Sequence, residues 1–417
     1  METKVLTQVG LTRKNKMREK SERKTGVYRT VNEDFERAFE KADCFSSQSK
    51  HDDLYWIRKA LMLAAKGQYT TRPNPCVGCI IVKDGQEVGS GWHQCAGEPH
   101  AEVYALQEAG ELAQGATCYV TLDPCAHHGR TPPCCQALVK AGVRRVVIAA
   151  KDPNPLVNGK GVEYLKASGV EVLSGILAEE SEKLNHAFFK RMRKGKPWVT
   201  LKLGTTLDGK IADFKGDSQW ITGHLAREDV QKQRARHDAI LSTAKIVMKD
   251  DARLTVRILP DDLPEPLRAR FKHPLRVILD RKAVLPKKAK IFNQGHPILV
   301  YTAKPLYETH QHADYQQVPT LPDQTLNLHA VFDDLAERGM NSVLVESGGT
   351  LGGALINQGL VDEIIIYMAP SLLGQQAKPG LVFPEALSLN QRHRLQFDEV
   401  KTLGSDIKIK AYYQEAS

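Results

Sequence analysis

Long apolar runs are missing from this 417-residue sequence. No window approaches the roughly 18 continuous apolar residues that a membrane-spanning helix needs, which excludes a helical membrane protein. The amino terminus, METKVLTQVGLTRKNKMREK, lacks the apolar core of a secretion signal, so export is not expected and a cytoplasmic enzyme fits best. Cysteine is absent after position 135, and seven of the eight cysteines crowd into residues 76–135. A secreted disulfide scaffold spreads its cysteines through a small domain, whereas clustering in a long chain points to metal or catalytic use. The dinucleotide fingerprint Gly-x-Gly-x-x-Gly is also missing. Nor is there a disordered, collagenous or coiled-coil bias, since 41% of residues are hydrophobic and 26% charged.

What is present suits two α/β domains. Single cores stop growing near roughly 250–300 residues, so a chain of 417 residues is expected to divide. The formal charge is +9, but residues 1–30 alone hold nine Lys/Arg against three Glu. Such a basic, apolar-poor run over 1–50 reads as an unpacked extension, with a short helix near Val31–Ala42 as its one periodic stretch. The small remainder is no nucleic-acid signature, and a cavity for a phosphorylated small molecule explains it equally well. No nucleic acid and no membrane are expected as partners; a homo-oligomer is.

From Asp52 the pattern sharpens. Asp52 or Asp53 can cap a helix with Leu54, Ile57, Leu61 and Ala64 on one face, ended by Gly67. CVGCIIVK (76–83), the Asp84-Gly85 turn and GQEVGSGWH read as a hairpin. Helices near 100–109, 135–141 and 161–168 then alternate with strands at 116–122, 145–150 and 170–173, the rhythm of a sheet covered by helices. A helix over 178–193 runs into the basic Lys190–Pro197 stretch, the expected boundary between domains at 51–195 and 197–417. Strands are predicted at 197–203, 239–242, 275–280, 297–301, 342–346, 363–369 and 406–413, with helices at 224–237 and 329–339. The segments 251–270 and 373–390 read as loops.

The densest chemistry is Pro99-His100-Ala101-Glu102 followed by Cys125 and Cys134 in PCAHHGRTPPCC. A catalytic zinc takes three protein ligands and an open position for water. One imidazole (His100) and two thiolates (Cys125 and Cys134) supply the three. Glu102, two residues past the histidine, can move protons without ligating. The pattern follows the zinc-deaminase signature His-x-Glu then Pro-Cys-x-x-Cys, except that eight residues separate the cysteines here. Cys134 opens a helix, where amide dipoles favour a thiolate; Cys135 is read as packing. Cys76-Val-Gly-Cys79 could bind metal or cycle as a redox pair, but inside a strand its side chains point to opposite faces and core packing is the better reading. His127 or His128 is expected to touch substrate or hold the loop. Zinc acidifies water, and a neighbouring carboxylate takes up the proton, so these parts suit hydrolytic deamination of an aminated heterocycle.

PNPCVG (73–78), the PHAE box and CAHHGRTPPC (125–134) together resemble the bifunctional riboflavin-biosynthesis deaminase–reductase family. Cytidine and tRNA deaminases share the zinc core but usually have Pro-Cys-x-x-Cys without this insert. LKLGTTLDGKIA (201–212), Ser218–Thr222, DDARLTVR (250–257) and ESGGTLGGAL (346–355) look like that family's reductase half, and the similarity spans roughly 50–415. The resemblance implies a cytidine-deaminase-like domain followed by a dihydrofolate-reductase-like α/β domain. It implies zinc-dependent deamination of a diaminopyrimidinone ribosylamino 5′-phosphate, then NADPH-dependent reduction of the ribosyl chain to the ribitylamino uracil phosphate. Gly204, Trp220, Ile246, Asp250 and the stretch Gly348, Gly349, Thr350, Leu351, Gly352, Gly353 and Ala354 would contact NADPH. Arg281, after strand 275–280, stands where the family commonly has a smaller polar residue and is read here as reaching the 2′-phosphate. Ser218, Arg234, Leu254, Arg257 and Glu346 would contact the substrate.

Read physically, the glycines after strand 342–346 let backbone amides approach a pyrophosphate at a helix N-terminus, although a tight turn would look the same. Arg234 and Arg257 suit a phosphate dianion. Lys245-Ile246 and Ala252 depart from the family pattern of small or hydroxyl residues and Asp-Asp-Pro. Two rivals remain. A nucleic-acid deaminase predicts aromatic–basic motifs after 197, which the sequence lacks. A structural zinc module predicts a fourth ligand and leaves Glu102 without a role.

Overall fold

The computed structural model describes residues 53–126, 133–155, 157, 159–304 and 312–413. The extension over 1–50 with its short helix, Asp52, and His127 and His128 lie outside them. The amphipathic run forms α1 (Asp53–Ala65), burying Trp56, Ile57, Ala60, Leu61 and Ala64. Leu54, expected on that face, is 39% exposed. The Asp53 carboxylate accepts two hydrogen bonds from Arg145 and one from Tyr119, which turns the first helical turn toward the sheet and leaves Leu54 outside. Asp84 and Gly85, both at positive φ (50° and 75°), close the hairpin of β1 (Gly78–Lys83) and β2 (Gln86–Trp92).

The chain continues through α2 (Ala101–Ala109), β3 (Thr117–Leu122), α3 (Cys134–Lys140), β4 (Arg145–Ala150), α4 (Lys160–Ala167) and β5 (Glu171–Ser174). The sheet order is β2-β1-β3-β4-β5, antiparallel around β1 and parallel from β3 to β5. Alternate strand residues face opposite layers. Ile80, Val82, Tyr119, Val147 and Ala149 pack on α1, while Ile81, Val120, Val146 and Ile148 pack on α2, α3 and α4. Each fully buried Ile, Leu or Val of this kind contributes about 1.5–3 kcal/mol.

The single helix expected over 178–193 is two, α5 (Ala178–Leu184) and α6 (His186–Lys194). Asn185 interrupts it because its side chain is engaged elsewhere. Its carbonyl accepts from the Cys76 amide (2.7 Å) and its amide donates to the Cys76 carbonyl (2.9 Å), satisfying the backbone just before β1.

The second sheet follows through β6 (Trp198–Thr206), β7 (Lys210–Ala212), α7 (His224–Arg236), β8 (Ala239–Thr243), α8 (Ala244–Asp250), α9 (Glu265–Arg268), β9 (Leu275–Leu279), β10 (Ile298–Thr302), β11 (Asp314–Gln317), α10 (Leu328–Glu337), β12 (Ser342–Glu346), α11 (Gly349–Asn357), β13 (Glu363–Ala369), β14 (Lys378–Pro379), β15 (Leu395–Leu403) and β16 (Asp406–Tyr413). Nine of these strands form one sheet ordered β11-β10-β9-β8-β12-β6-β13-β16-β15, parallel from β11 to β13 and antiparallel beyond. The central strands read as continuous apolar runs because helices and loops bury both their faces. Six elements escape the sequence reading, β7, α8, α9, β11, β14 and β15, and α9 and β14 fall inside the 251–270 and 373–390 segments expected to be loops. Helix α8 is one short stretch capped by Thr243, whose hydroxyl accepts from the Ile246 amide. Strand β15 carries a register shift between Phe397 and Glu399 that breaks its alternation.

The chain moves outward from β8 to β11, then returns to place β12 between β8 and β6. In open α/β sheets such a reversal leaves a crevice beyond the carboxyl ends of the strands. No helix among the described residues is long and apolar enough to cross a membrane.

Candidate metal centre and cofactor cleft

Strand β3 ends at Leu122 and delivers Cys125 two residues after Asp123, while His100 sits at the N-cap of α2 and Cys134 at the first position of α3. The Cys125 loop is held from below. The Gly159 amide donates to Asp123 (2.8 Å), and a Cβ at Gly161 would fall 1.8 Å from the Pro124 carbonyl oxygen, so only glycine lets α4 approach this closely. His100 Nδ1 lies 3.3 Å from Cys134 Sγ and 3.5 Å from Cys125 Sγ, and the Cys134 amide donates to Cys125 Sγ at 3.4 Å. The three ligand atoms all lie within 4.8 Å of one another. Zinc bonds of about 2.0–2.3 Å to nitrogen and sulfur span that separation, so this donor set fits the ion.

The three groups share charge with one another. The Cys134 thiol, then the His100 ring, hold Cys125 down to about 4, while the Cys125 sulfur pushes Cys134 well up and raises His100 to about 9. Glu102 is buried at 3% exposure, and that burial pushes its carboxyl above the ordinary value against the pull of His100. Cys76 and Cys79 stay out of the cluster. Cys76 lies two residues before β1 rather than within it and meets the Thr71 hydroxyl at 3.5 Å, and Cys79 Sγ packs 3.4 Å from Cys118 Sγ. Cys135 is buried in the core, as expected.

His93 is a member of the centre that the sequence reading missed. Its Nδ1 faces the Pro99 carbonyl at 3.0 Å, which can only accept, so that nitrogen carries the proton; Nε2 then accepts from Asn74 at 3.1 Å. The ring stands edge-on to His100, 5.5 Å between centroids, and burial holds its pKa down at about 4. The signal available was only its place at the end of β2, ahead of the PHAE box.

A cleft of about 1480 Å³ opens at the carboxyl ends of β6, β8 and β12. Of the residues expected around NADPH, Gly204, Trp220, Ile246, Asp250, Arg281, Gly348, Gly349, Thr350, Leu351 and Ala354 line it. Gly352 and Gly353 do not. A Cβ on Gly353 would lie 1.9 Å from the Val382 carbonyl oxygen, and one on Gly352 would press on Leu381 and Leu201, so these glycines serve helix packing rather than a ligand. Gly348, by contrast, has only Ile246 Cδ1 near its Cβ position, at 3.9 Å. Arg281 donates to the Gln324 carbonyl at the cleft's edge. Ser218, Arg234, Leu254, Arg257 and Glu346 also line it.

Arg234 is placed differently from the phosphate ligand expected. It donates to both Glu346 oxygens (2.5 and 3.0 Å) and to the Thr255 carbonyl (2.9 Å), so its guanidinium holds Glu346 while Arg257 stands exposed at the cleft. Burial opposes the Glu346 charge, but Arg234 and Lys202 more than offset it and keep the carboxyl well below the usual range. Lys202, its ammonium 3.3 Å from Glu346, was missed; the signal was a lysine inside an otherwise apolar strand. Gln231 was missed too, and its side chain accepts from the Arg257 amide (2.9 Å).

Comparison with known proteins matches both halves. A family profile described as the RibD C-terminal domain matches residues 197–409, and one described as the cytidine and deoxycytidylate deaminase zinc-binding region matches 50–150. The riboflavin biosynthesis protein RibD of Haemophilus influenzae is 46% identical over 370 residues, covering 88% of this chain and 97% of its own length. That of Escherichia coli is 44% identical, with 85% and 98% covered. Among solved structures, Acinetobacter baumannii RibD aligns with a TM-score of 0.80 at 43% identity, covering 87% of this chain and 99% of that one. A Thermotoga maritima diaminohydroxyphosphoribosylaminopyrimidine deaminase/5-amino-6-(5-phosphoribosylamino)uracil reductase aligns at 0.77 and 34% identity, with 88% and 99% covered.

Proposed function

The chain belongs to the RibD family, the bifunctional deaminase–reductases of riboflavin biosynthesis, and from that premise we propose which residues carry each half-reaction. The deaminase occupies 51–195 and the reductase 197–417, a division supported by the separate sheets and by profile matches over 50–150 and 197–409 that do not overlap. The substrates are those named for the Thermotoga maritima relative, a diaminopyrimidinone ribosylamino phosphate and then its uracil product.

His100, Cys125 and Cys134 hold zinc, which when bound supplies the Lewis acidity that makes water a nucleophile at neutral pH. Glu102, whose carboxyl burial pushes above the ordinary value, takes one proton from water and delivers it to the ring nitrogen, then carries the second water proton to the departing amino group, which leaves as ammonia. Water oxygen replaces the ring amino group, so the net change is C–N cleavage with release of ammonia. His93 fixes the backbone that carries His100.

In the second half, NADPH supplies the hydride for the ribosyl carbon. The amides at Gly348 and Gly349, opening the nine-residue α11, cradle its pyrophosphate. Glu346, braced by Arg234, and Lys202 beside it present an acceptor and a donor to the substrate's sugar hydroxyls. Arg257 takes the 5′-phosphate.

The observation that carries this reading is the convergence of His100, Cys125 and Cys134 beside a buried Glu102, in a chain that also holds the large glycine-edged cleft. Zinc analysis with a coupled assay on the diaminopyrimidinone phosphate tests it. Ammonia release without NADPH, followed by product-dependent NADPH oxidation, is expected; NADPH oxidation lacking any dependence on the deaminated product would overturn the reductase half. The cytoplasm is the compartment we assign, supported by seven free buried cysteines among the described residues. A homo-oligomer belongs to the same reading, supported by the edge strand β15, where Phe397 is 68% exposed; a monomeric mass in sedimentation would reject it.

A further inference from the structure

The zinc ligand His100 is held by a segment that reaches across to the reductase half. In residues 68–74, which follow α1, Gln68, Tyr69, Arg72 and Pro73 each meet residues beyond 197. Tyr69 is fully buried, donates from its hydroxyl to the Asp262 carboxylate (2.9 Å), and carries the Arg236 guanidinium over its ring, 5.6 Å from the centroid. The Arg72 side chain donates to the Lys272 carbonyl (2.9 Å), and the Pro73 carbonyl accepts from Asn341 (2.6 Å). An apolar cluster of Tyr69 and Cys95 with Ala235, Val256, Leu263 and Leu267 seals the junction.

The other end of this segment leads to the metal centre. Asn74 donates to His93, and His93 donates to the carbonyl of Pro99, the residue bonded to His100. Thr70 donates to the carbonyl of Gln94, next to His93. A second grip reaches the same stretch directly. Arg270 donates to Glu98, two residues ahead of the ligand, at 2.5 Å. The segment bearing His100 is therefore fixed on one side through Tyr69 and Asn74, and on the other through Glu98. Neither Asp262 nor Arg270 lines the reductase cleft.

We propose that the 256–272 excursion of the reductase domain is a positioning element for the deaminase centre, with Asp262 and Arg270 as its working residues. This rests on His100 being a zinc ligand. Groups that directly orient a metal ligand typically change metal affinity or activity by about 10–100-fold when removed, and Asp262 and Arg270 act through further contacts, which sets the expectation at the low end of that range. The deaminase half is then completed by the reductase half through contacts that transmit no substrate.

The test uses the full-length zinc enzyme carrying Asp262→Ala, Arg270→Met, both together, and Tyr69→Phe. Three quantities are read: zinc affinity by competition with a chromophoric chelator, kcat and KM of deamination, and kcat and KM of reduction supplied with the deaminated product. The double variant is expected to bind zinc about tenfold more weakly and to lose about tenfold in deaminase kcat/KM, with reductase constants within about twofold of wild type. Arg270→Lys should recover part of the loss, and Tyr69→Phe with Asp262→Ala should be non-additive, as expected of residues in contact. Unchanged zinc affinity and deamination in the folded double variant would overturn the proposal, as would both activities falling in parallel with the melting temperature. Failure of the wild-type chain to bind zinc would strike the ligand assignment instead, so the two readings fail separately.

Discussion

The metal centre draws its ligands and acid–base residue from one stretch, His100 to Cys134, while the reductase cleft gathers its walls from Lys202 to Glu385. The first is a small, buried site whose geometry is set by where two short helices begin and one strand ends. The second is wide, and its decisive groups come from strands distant in sequence, such as Lys202 on β6 and Glu346 on β12. Chemistry that needs three soft donors around a point can be written as a spacing. Chemistry that needs an extended cofactor laid across a sheet has to be assembled by the sheet. A site of the first kind should fail abruptly when one atom changes, and one of the second kind by degrees.

The sharpest break in that comparison is chelation, which should abolish ammonia release while leaving NADPH oxidation on authentic deaminated product intact. Loss of both activities would mean that the two centres are not independent in this way. Next, Glu102→Gln should retain zinc and lower deaminase kcat by about 10²–10⁴-fold without touching the reductase, as read by paired kinetics and metal analysis.

On the reductase side, Arg234→Met leaves the buried Glu346 carboxylate with Lys202 as its remaining ion-pair partner. Leaving a buried charge wholly unpaired costs about 3–5 kcal/mol, so urea unfolding should show a loss below that range together with a raised KM. The same pair sets a pH response. The folded-state pKa of Glu346 lies below its ordinary value of 4.5, so its stabilisation is complete above that pH and lost as pH falls further. Wild type should therefore lose stability below about pH 4.5 more steeply than Glu346→Gln does; equal slopes would show the pair to be weak. The smallest effect belongs to neither site. Gly85→Ala, at φ 75° in the hairpin turn, should cost about 1 kcal/mol of stability and leave both activities alone.

Much of the first domain was legible because its signals are local. Asp84-Gly85 names a hairpin turn, and the period of α1 names its buried face, apart from Leu54. The His100, Cys125 and Cys134 cluster was legible for the same reason, since an N-cap histidine and a helix-opening cysteine follow from short-range pattern. The helix break at Asn185 was not, because it depends on hydrogen bonds to Cys76 more than a hundred positions away. His93 was hidden as well, its role resting on a carbonyl and an amide that only the folded loop brings to its two nitrogens.

In the cleft, the residues expected around the cofactor and substrate did converge, with two exceptions in location and one in role. Gly352 and Gly353 looked identical in sequence to Gly348, yet backbone and side chains from 381–383 press on them, as backbone from 379–380 does on Gly349. Arg234 looked like a phosphate ligand, yet each of its three guanidinium nitrogens donates within the protein, two to Glu346 and one to Thr255.

Sequence by itself determined which atoms can bind a metal, where the strongly patterned helices and strands lie, and that there are two α/β units, because those depend on residue type and on neighbours within a turn or two. Only the tertiary structure decided which glycines face a ligand, which arginine is free, and that the reductase half grips the segment holding His100. Those outcomes depend on which distant surfaces meet, and a side chain's hydrogen-bonding capacity belongs to whichever partner the fold brings first.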